Sequence, residues 1–184
     1  MVIKQRKPNR LKNFDYSSAG WYFITICIKN RQEYFGNIIN NRMNLNKYGE
    51  IVNKYWLKIK NKFKNITLDI YQIMPNHIHG IIVIKQKNIV GVSFMKSEMR
   101  MKISKSNRHM GLMNQTPTIG LIIRYFKSKC TFEIHKYGLN NNLWQRNYYD
   151  HIIRNESSLN NIREYIQNNP KKWDNDEENP KNIK

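Results

Sequence analysis

Cysteine is scarce: Cys27 and Cys130 are the only two, too few for a disulfide framework or a cysteine-type zinc site. Eight glycines and five prolines exclude collagen-like and glycine-rich architectures, and no repeat of fixed period is visible. Long apolar runs are missing as well. The longest, Ile24 to Ile28 with its neighbours from Gly20, falls far short of a membrane span. The flank Met1 to Phe14 is basic but lacks the apolar core of a signal peptide. Acidic residues are few, 13 Asp plus Glu against 32 Lys plus Arg, for a net charge of +19. These absences make a soluble protein of a reducing, intracellular compartment, without membrane contact, the expectation.

What is present argues for a packed domain. Hydrophobic residues make up 40% of the chain and aromatics 12%, including 11 Tyr, more apolar surface than a disordered basic tail carries. A length of 184 residues suits one domain, 1–184, with a basic lead-in over 1–16 and a polar tail over 171–184. An excess of 19 positive charges opposes compaction by self-repulsion, and a polyanionic partner explains it most directly. Codon drift towards Lys, Asn and Ile is the plainer source of the same excess.

The order of elements reads clearly. From Gly20 the chain is strand-like and apolar on both sides, as in a strand covered on both faces. A polar, Asn-rich loop follows, then a helical stripe of Tyr48, Ile51, Val52, Tyr55, Trp56, Ile59 and Phe63. Strands are expected over Ile66 to Met74 and His77 to Ile84, with a turn at Pro75-Asn76. Residues 86–115, rich in Lys, Ser and Met and without period, read as a flexible insertion. Thr116-Pro117 looks like a cap followed by Pro at the first helical position, ahead of a stripe of Ile119, Ile122, Ile123, Phe126, Cys130 and Ile134. A fourth strand, Tyr148 to Arg154, precedes a last helix that begins near Asn155 to Ser158, buries Leu159, Ile162 and Ile166, and stops at Pro170. The sum is an α+β, ferredoxin-like split βαβ fold: a four-stranded antiparallel sheet with one additional C-terminal helix.

The sharpest local feature is Met74-Pro75-Asn76-His77-Ile78-His79-Gly80. Residues two apart on a strand share a face, so His77 and His79 project side by side, suited to one divalent metal. A pair of histidines without a ligand is the bland alternative, and Gly80 permits close approach of a backbone or ligand. On the last helix Tyr165 and Asn169 stand at i and i+4, hence neighbours. A tyrosine hydroxyl can act as a covalent nucleophile and an amide oxygen can complete a metal site; by spacing alone an ordinary half-buried tyrosine is the better reading.

The segments FDYSSAGWYFITICIKNRQEYFG, MPNHIHGIIVI, IGLIIRYFKSKCTFEI, WQRNYYDHIIRNE and IREYIQNNPKKW, in this order, resemble the HUH family of single-strand DNA transposases. The resemblance lies with the branch of REP-associated and related single-tyrosine transposases. It implies that His77 and His79 are the metal-binding pair, Tyr165 the nucleophile and Asn169 the third metal ligand. It implies further a Mg²⁺ or Mn²⁺ cofactor, a 5′-phosphotyrosine intermediate, and a single-stranded or hairpin DNA substrate. A cytoplasmic, nucleoid-associated location in a bacterium goes with it, and a homodimer stays open beside a monomer.

Further DNA contacts are expected from Lys127, Trp144, Arg146, Tyr149 and His151. Of the adjacent Tyr148 and Tyr149, one should enter the core and the other remain available for stacking on a base. Two rival readings stand beside the transposase: a catalytically silent nucleic-acid-binding protein of the same fold, and a metal-dependent hydrolase built on His77 and His79. The hydrolase reading lacks a carboxylate beside the histidines.

Overall fold

The computed structural model describes residues 11, 14–86 and 116–182. Most of the basic lead-in, and the insertion expected over 86–115 from residue 87 onward, lie outside the described residues.

Strand β1 (Gly20–Cys27) turns Tyr22, Ile24 and Ile26 to one face, all without solvent exposure, and Phe23, Thr25 and Cys27 to the other. After it come a hairpin of β2 (Gly36–Ile39) and β3 (Arg42–Leu45), then helices α1 (Lys47–Leu57) and α2 (Ile59–Lys62). Strands β4 (Ile66–Ile73) and β5 (His77–Ile84), helix α3 (Ile119–His135), strand β6 (Tyr149–Ile153) and helix α4 (Glu156–Asn168) complete the order. The main sheet runs β4-β5-β1-β6, every neighbour antiparallel. It is the four-stranded antiparallel sheet expected from the sequence. No helix among the described residues is long and apolar enough to cross a membrane.

The two faces of the sheet bury different partners. Tyr22, Ile24, Ile26, Ile78 and Ile82 share one core with Val52 and Trp56 of α1 and with Ile122, Ile123, Phe126, Cys130 and Ile134 of α3. On the opposite face Ile81 and Ile153 pack with Leu159 and Ile166 of α4, edged by Trp21, Phe23 and Ile162. Helices α1 and α4 start where side chains satisfy free N–H groups. Asn46 Oδ1 accepts from the amides of Tyr48 and Gly49, and Asn155 Oδ1 from that of Ser158.

Two local expectations are corrected. The Asn-rich loop is the β2–β3 hairpin, because Asn40 and Asn41 both take positive φ (51° and 61°), the pair of left-handed residues that closes a tight hairpin and that asparagine tolerates. The cap of α3 is Thr118 rather than Thr116: its hydroxyl accepts from Leu121 N at 3.2 Å, and Pro117 precedes the cap instead of opening the helix.

Helix α4 is fastened to the sheet edge as well as to its core. Asp69 Oδ2 accepts from Arg163 Nη2 at 2.6 Å and Nε at 3.0 Å, and the same guanidinium lies over the Trp21 ring. The polar tail expected from residue 171 is, over 171–182, folded back in short 3₁₀ turns, with Trp173 buried and its carbonyl accepting from Asn179 Nδ2 at 2.9 Å.

Gly80 explains how α1 approaches so closely. A Cβ there would meet Trp56 Cζ2 at 2.4 Å and Tyr71 Cβ at 3.0 Å, so it is the indole, not a ligand, that uses the missing side chain. Gly80→Ala is expected to destabilise the protein by about 1–3 kcal/mol through overpacking, measured as a lower urea midpoint. An unchanged midpoint would show that Trp56 can move aside at no cost.

Candidate active site

The register of the central strands builds the site. Thr25 stands opposite His79 and Cys27 opposite His77, so both imidazoles lie on the face covered by α4, on an inner strand. His77 is 0% and His79 5% exposed, and their ring centroids are 4.5 Å apart. Each ring is held through Nδ1: His77 by Asn76 Oδ1 at 2.8 Å and His79 by Thr25 Oγ1 at 2.8 Å. Phe23 stacks on His79, and Trp173 of the tail tilts against His77 at 6.0 Å.

The Nε2 side of the pair faces a polar cluster. His77 Nε2 and Asn169 Oδ1 are buried without a hydrogen-bond partner. Asn169, itself 2% exposed, donates Nδ2 to Asp176 Oδ2 at 3.1 Å. Ligand atoms of His77, His79 and Asp176 all lie within 4.8 Å of one another. Burial lowers the pKa of His77 to about 3, and burial followed by the neighbouring His77 lowers that of His79 well below the usual value. Both rings are therefore neutral and can offer lone pairs. Two imidazoles, a carboxylate and an amide oxygen, with two buried atoms lacking partners, are a donor set that fits a divalent cation. Cys27 is no competitor for that role: burial pushes its thiol up to about 12, far from thiolate.

Tyr165 reaches the same cluster from α4. Its side chain is partly exposed, and Oη lies 3.2 Å from His79 Nε2. Its ring meets Phe23 and His79 edge-on. Burial and then the Asp176 carboxylate raise its pKa, so the hydroxyl keeps its proton in the free protein.

The structure thus brings together His77, His79, Tyr165 and Asn169. It adds Asp176, which sequence reasoning missed: it sits in a polar tail with no periodicity to aim it, at the extended residue that ends the 3₁₀ turns of Asn169–Asn175. The statement that no carboxylate accompanies the histidines is corrected by this residue.

The expected DNA contacts divide. Arg146, Tyr149 and His151 are exposed. Tyr149 continues the cross-strand row of His79 and Thr25, and His151 the row of Ile81 and Phe23, so both border the candidate site on the edge strand. Tyr148 is the core member of the tyrosine pair. Trp144 is corrected: a bridge between Ile28 and Trp144 draws it into the core against Phe35 and Phe126, with its indole N–H donating to Lys127 O. Only 9% of the residue is left exposed for a base. Lys127 is drawn inward too, its Nζ donating to the carbonyls of Gln145 and Asn147, while burial lowers its pKa to about 8.

No family model matches the chain. In overall fold it is similar to the solved structure of a REP-associated tyrosine transposase bound to a REP hairpin, with a TM-score of 0.54 and 20% identity over 89% of this chain and 73% of that one. A Haemophilus influenzae protein named for the REP-associated tyrosine transposases is 23% identical over 162 residues, covering 86% of this chain and 74% of its own length. The resemblance to single-tyrosine transposases read from the motifs is borne out, and the four-stranded sheet with its flanking helices is their fold. Over 175 residues, 95% of this chain and 93% of the relative, it is 41% identical to an uncharacterized protein of Haemophilus influenzae, and the two belong to one family.

Burial separates the aromatic residues of the β6 region by consequence. Trp144→Ala should lower stability by about 3–5 kcal/mol, as for a large core truncation. Tyr149→Ala should stay within about 0.5 kcal/mol of the parent. Thermal denaturation of the two variants measures both, and equal losses would contradict the placement.

Proposed function

We propose that the protein is a metal-dependent, single-tyrosine transposase or endonuclease, which nicks and rejoins single-stranded DNA through a 5′-phosphotyrosine bond. The observation that carries the reading is the convergence of Tyr165 Oη on the His77–His79–Asp176 cluster, 3.2 Å from His79 Nε2. The reading treats residues 1–184 as one catalytic domain, acting on a hairpin with an unpaired flank.

His77, His79, Asp176 and Asn169 would hold the cation, Mg²⁺ or Mn²⁺. Once bound, it supplies positive charge against the scissile phosphate and favours phenolate over phenol. Tyr165 provides the nucleophile. Its oxygen forms a bond to phosphorus in line with the departing 3′ oxygen, the phenolic proton passes to solvent at the half-exposed ring, and the 3′ oxygen takes a proton from solvent as its bond to phosphorus breaks, leaving as a hydroxyl. The phosphotyrosine retains a phosphodiester, so attack by another 3′-hydroxyl reverses the step without a nucleotide cofactor. Phe23 and His79 brace the tyrosine ring, and the Arg163–Asp69 pair keeps α4 over the sheet, which holds the hydroxyl near its target.

DNA contact fits the charge of +19 and the exposed Arg146, Tyr149 and His151, a guanidinium and two aromatic rings. Such a partner places the activity in the bacterial cytoplasm, at the nucleoid. Asp176 also supplies the carboxylate that a hydrolase would need, so the experiment must separate the two chemistries.

A hairpin oligonucleotide with single-stranded flanks, incubated with protein and Mg²⁺ or Mn²⁺ and run on a denaturing gel, is expected to give a covalent protein–DNA adduct. Tyr165→Phe should abolish the adduct and change hairpin affinity less than about twofold, because only a hydroxyl is lost. Free products without adduct indicate the hydrolase, and binding without cleavage the silent protein. An adduct that survives in Tyr165→Phe would reassign the nucleophile.

A further inference from the structure

Asn76 lies between Pro75 and His77 at the entry to β5, and only 1% of it is exposed. Its main-chain carbonyl accepts from Ile28 N at 2.8 Å, which fixes the backbone independently of the side chain. The side chain makes three contacts. Nδ2 donates to Glu178 O at 2.7 Å and to Arg31 O at 3.1 Å, and Oδ1 lies 2.8 Å from His77 Nδ1.

These contacts determine a proton position. Both Nδ2 partners are main-chain carbonyls, which can only accept, so the amide cannot be flipped without opposing oxygen to oxygen twice. Oδ1 must then face the imidazole, and an amide oxygen also only accepts. His77 Nδ1 therefore carries the hydrogen. Nε2, buried and making no hydrogen bond, is left as a lone pair beside the Asn169 carboxamide, whose Oδ1 is likewise unpaired, so that only a cation between them satisfies both. The opposite tautomer would turn an N–H towards the cluster and could not ligate.

The same amide reaches the tail. Glu178, whose carbonyl Asn76 holds, donates its own N–H to Asp176 Oδ1 at 2.7 Å and sets its carboxylate 3.4 Å from Arg31 Nε. We infer that Asn76 is the positioning residue of the centre: one carboxamide fixes His77 as the Nδ1–H tautomer and docks the segment that carries Asp176. The tautomer assignment stands on geometry alone, and the consequence for affinity rests on the metal reading above.

Two-bond ¹H–¹⁵N correlation spectra of histidine-labelled full-length protein report the tautomer directly, with the His77 signals assigned by their loss in His77→Gln. Wild type is expected to show Nδ1–H at His77 near pH 7. In Asn76→Ala the preference should be lost, and Mn²⁺ affinity, followed by electron paramagnetic resonance, should fall about tenfold or more. Asn76→Asp keeps an acceptor for the ring but no donors for the two carbonyls, so it should retain the tautomer. An Nε2–H tautomer in the wild type would overturn the inference without any variant. So would a folded Asn76→Ala protein, judged by its circular dichroism, with unchanged tautomer and unchanged Mn²⁺ affinity. If wild type binds no Mn²⁺, the metal reading fails while the spectra still decide the role of Asn76.

Discussion

Two imidazoles buried side by side on an inner strand are the constraint around which the rest of this protein is arranged. Burying a polar ring costs free energy unless its nitrogens find partners, and the cost grows as water is excluded. Here each Nδ1 is satisfied from the sheet itself, by Thr25 across the β1–β5 ladder and by Asn76 one residue back. The Nε2 atoms are left for chemistry. His77 Nε2 makes no hydrogen bond and lies beside the Asn169 carboxamide, and His79 Nε2 meets the Tyr165 hydroxyl. A sheet with only one covered face would leave this pair in water. The third layer, made by α4 and the folded-back tail, puts the histidines in a low-dielectric setting where a cation and a phosphate interact strongly.

That third layer also has to be placed accurately. Leu159 and Ile166 bury the inner stripe of α4 against Ile81 and Ile153, which sets the depth of the helix. Arg163, charged and donating Nε and Nη2 to the one oxygen Asp69 Oδ2 at the irregularity of β4, sets its rotation. Tyr165, two residues on, emerges at the boundary between the packed stripe and solvent. The hydroxyl is close enough to contact His79, and the ring remains accessible to a strand of DNA. Beyond α4 the 3₁₀ turns of Asn169–Asn175 set Trp173 against His77 and lead Asp176 to the polar cluster, with Arg31 and Asn76 holding the tail from beneath.

Much of this was legible in the residues because the rules involved are local. Period-two alternation put His77 and His79 on one face, and the helical i, i+4 relation put Asn169 beside Tyr165. The strand order followed from the succession of apolar segments. The misses have physical causes too. In a chain so rich in asparagine, Asn40-Asn41 looked like composition rather than a left-handed turn. Trp144 looked like a surface aromatic because its burial depends on one bridge to Ile28, a long-range pairing that no local pattern announces. Asp176 depends on a tail whose fold comes from contacts with Arg31 and Asn76, both far away along the chain, and from the bond to Asn169. A charged residue in a polar stretch gives no sign of such a destination.

The central claim is that the buried cluster of His77, His79 and Asp176, with Asn169 beside it, is a divalent-cation centre. Anomalous diffraction from crystals soaked in Mn²⁺ tests it most directly. The expected result is one strong peak about 2.0–2.2 Å from a ring nitrogen of both histidines, and within coordinating distance of the Asp176 carboxylate. A peak bound elsewhere, or none while the two rings keep their present hydrogen bonds, would contradict it.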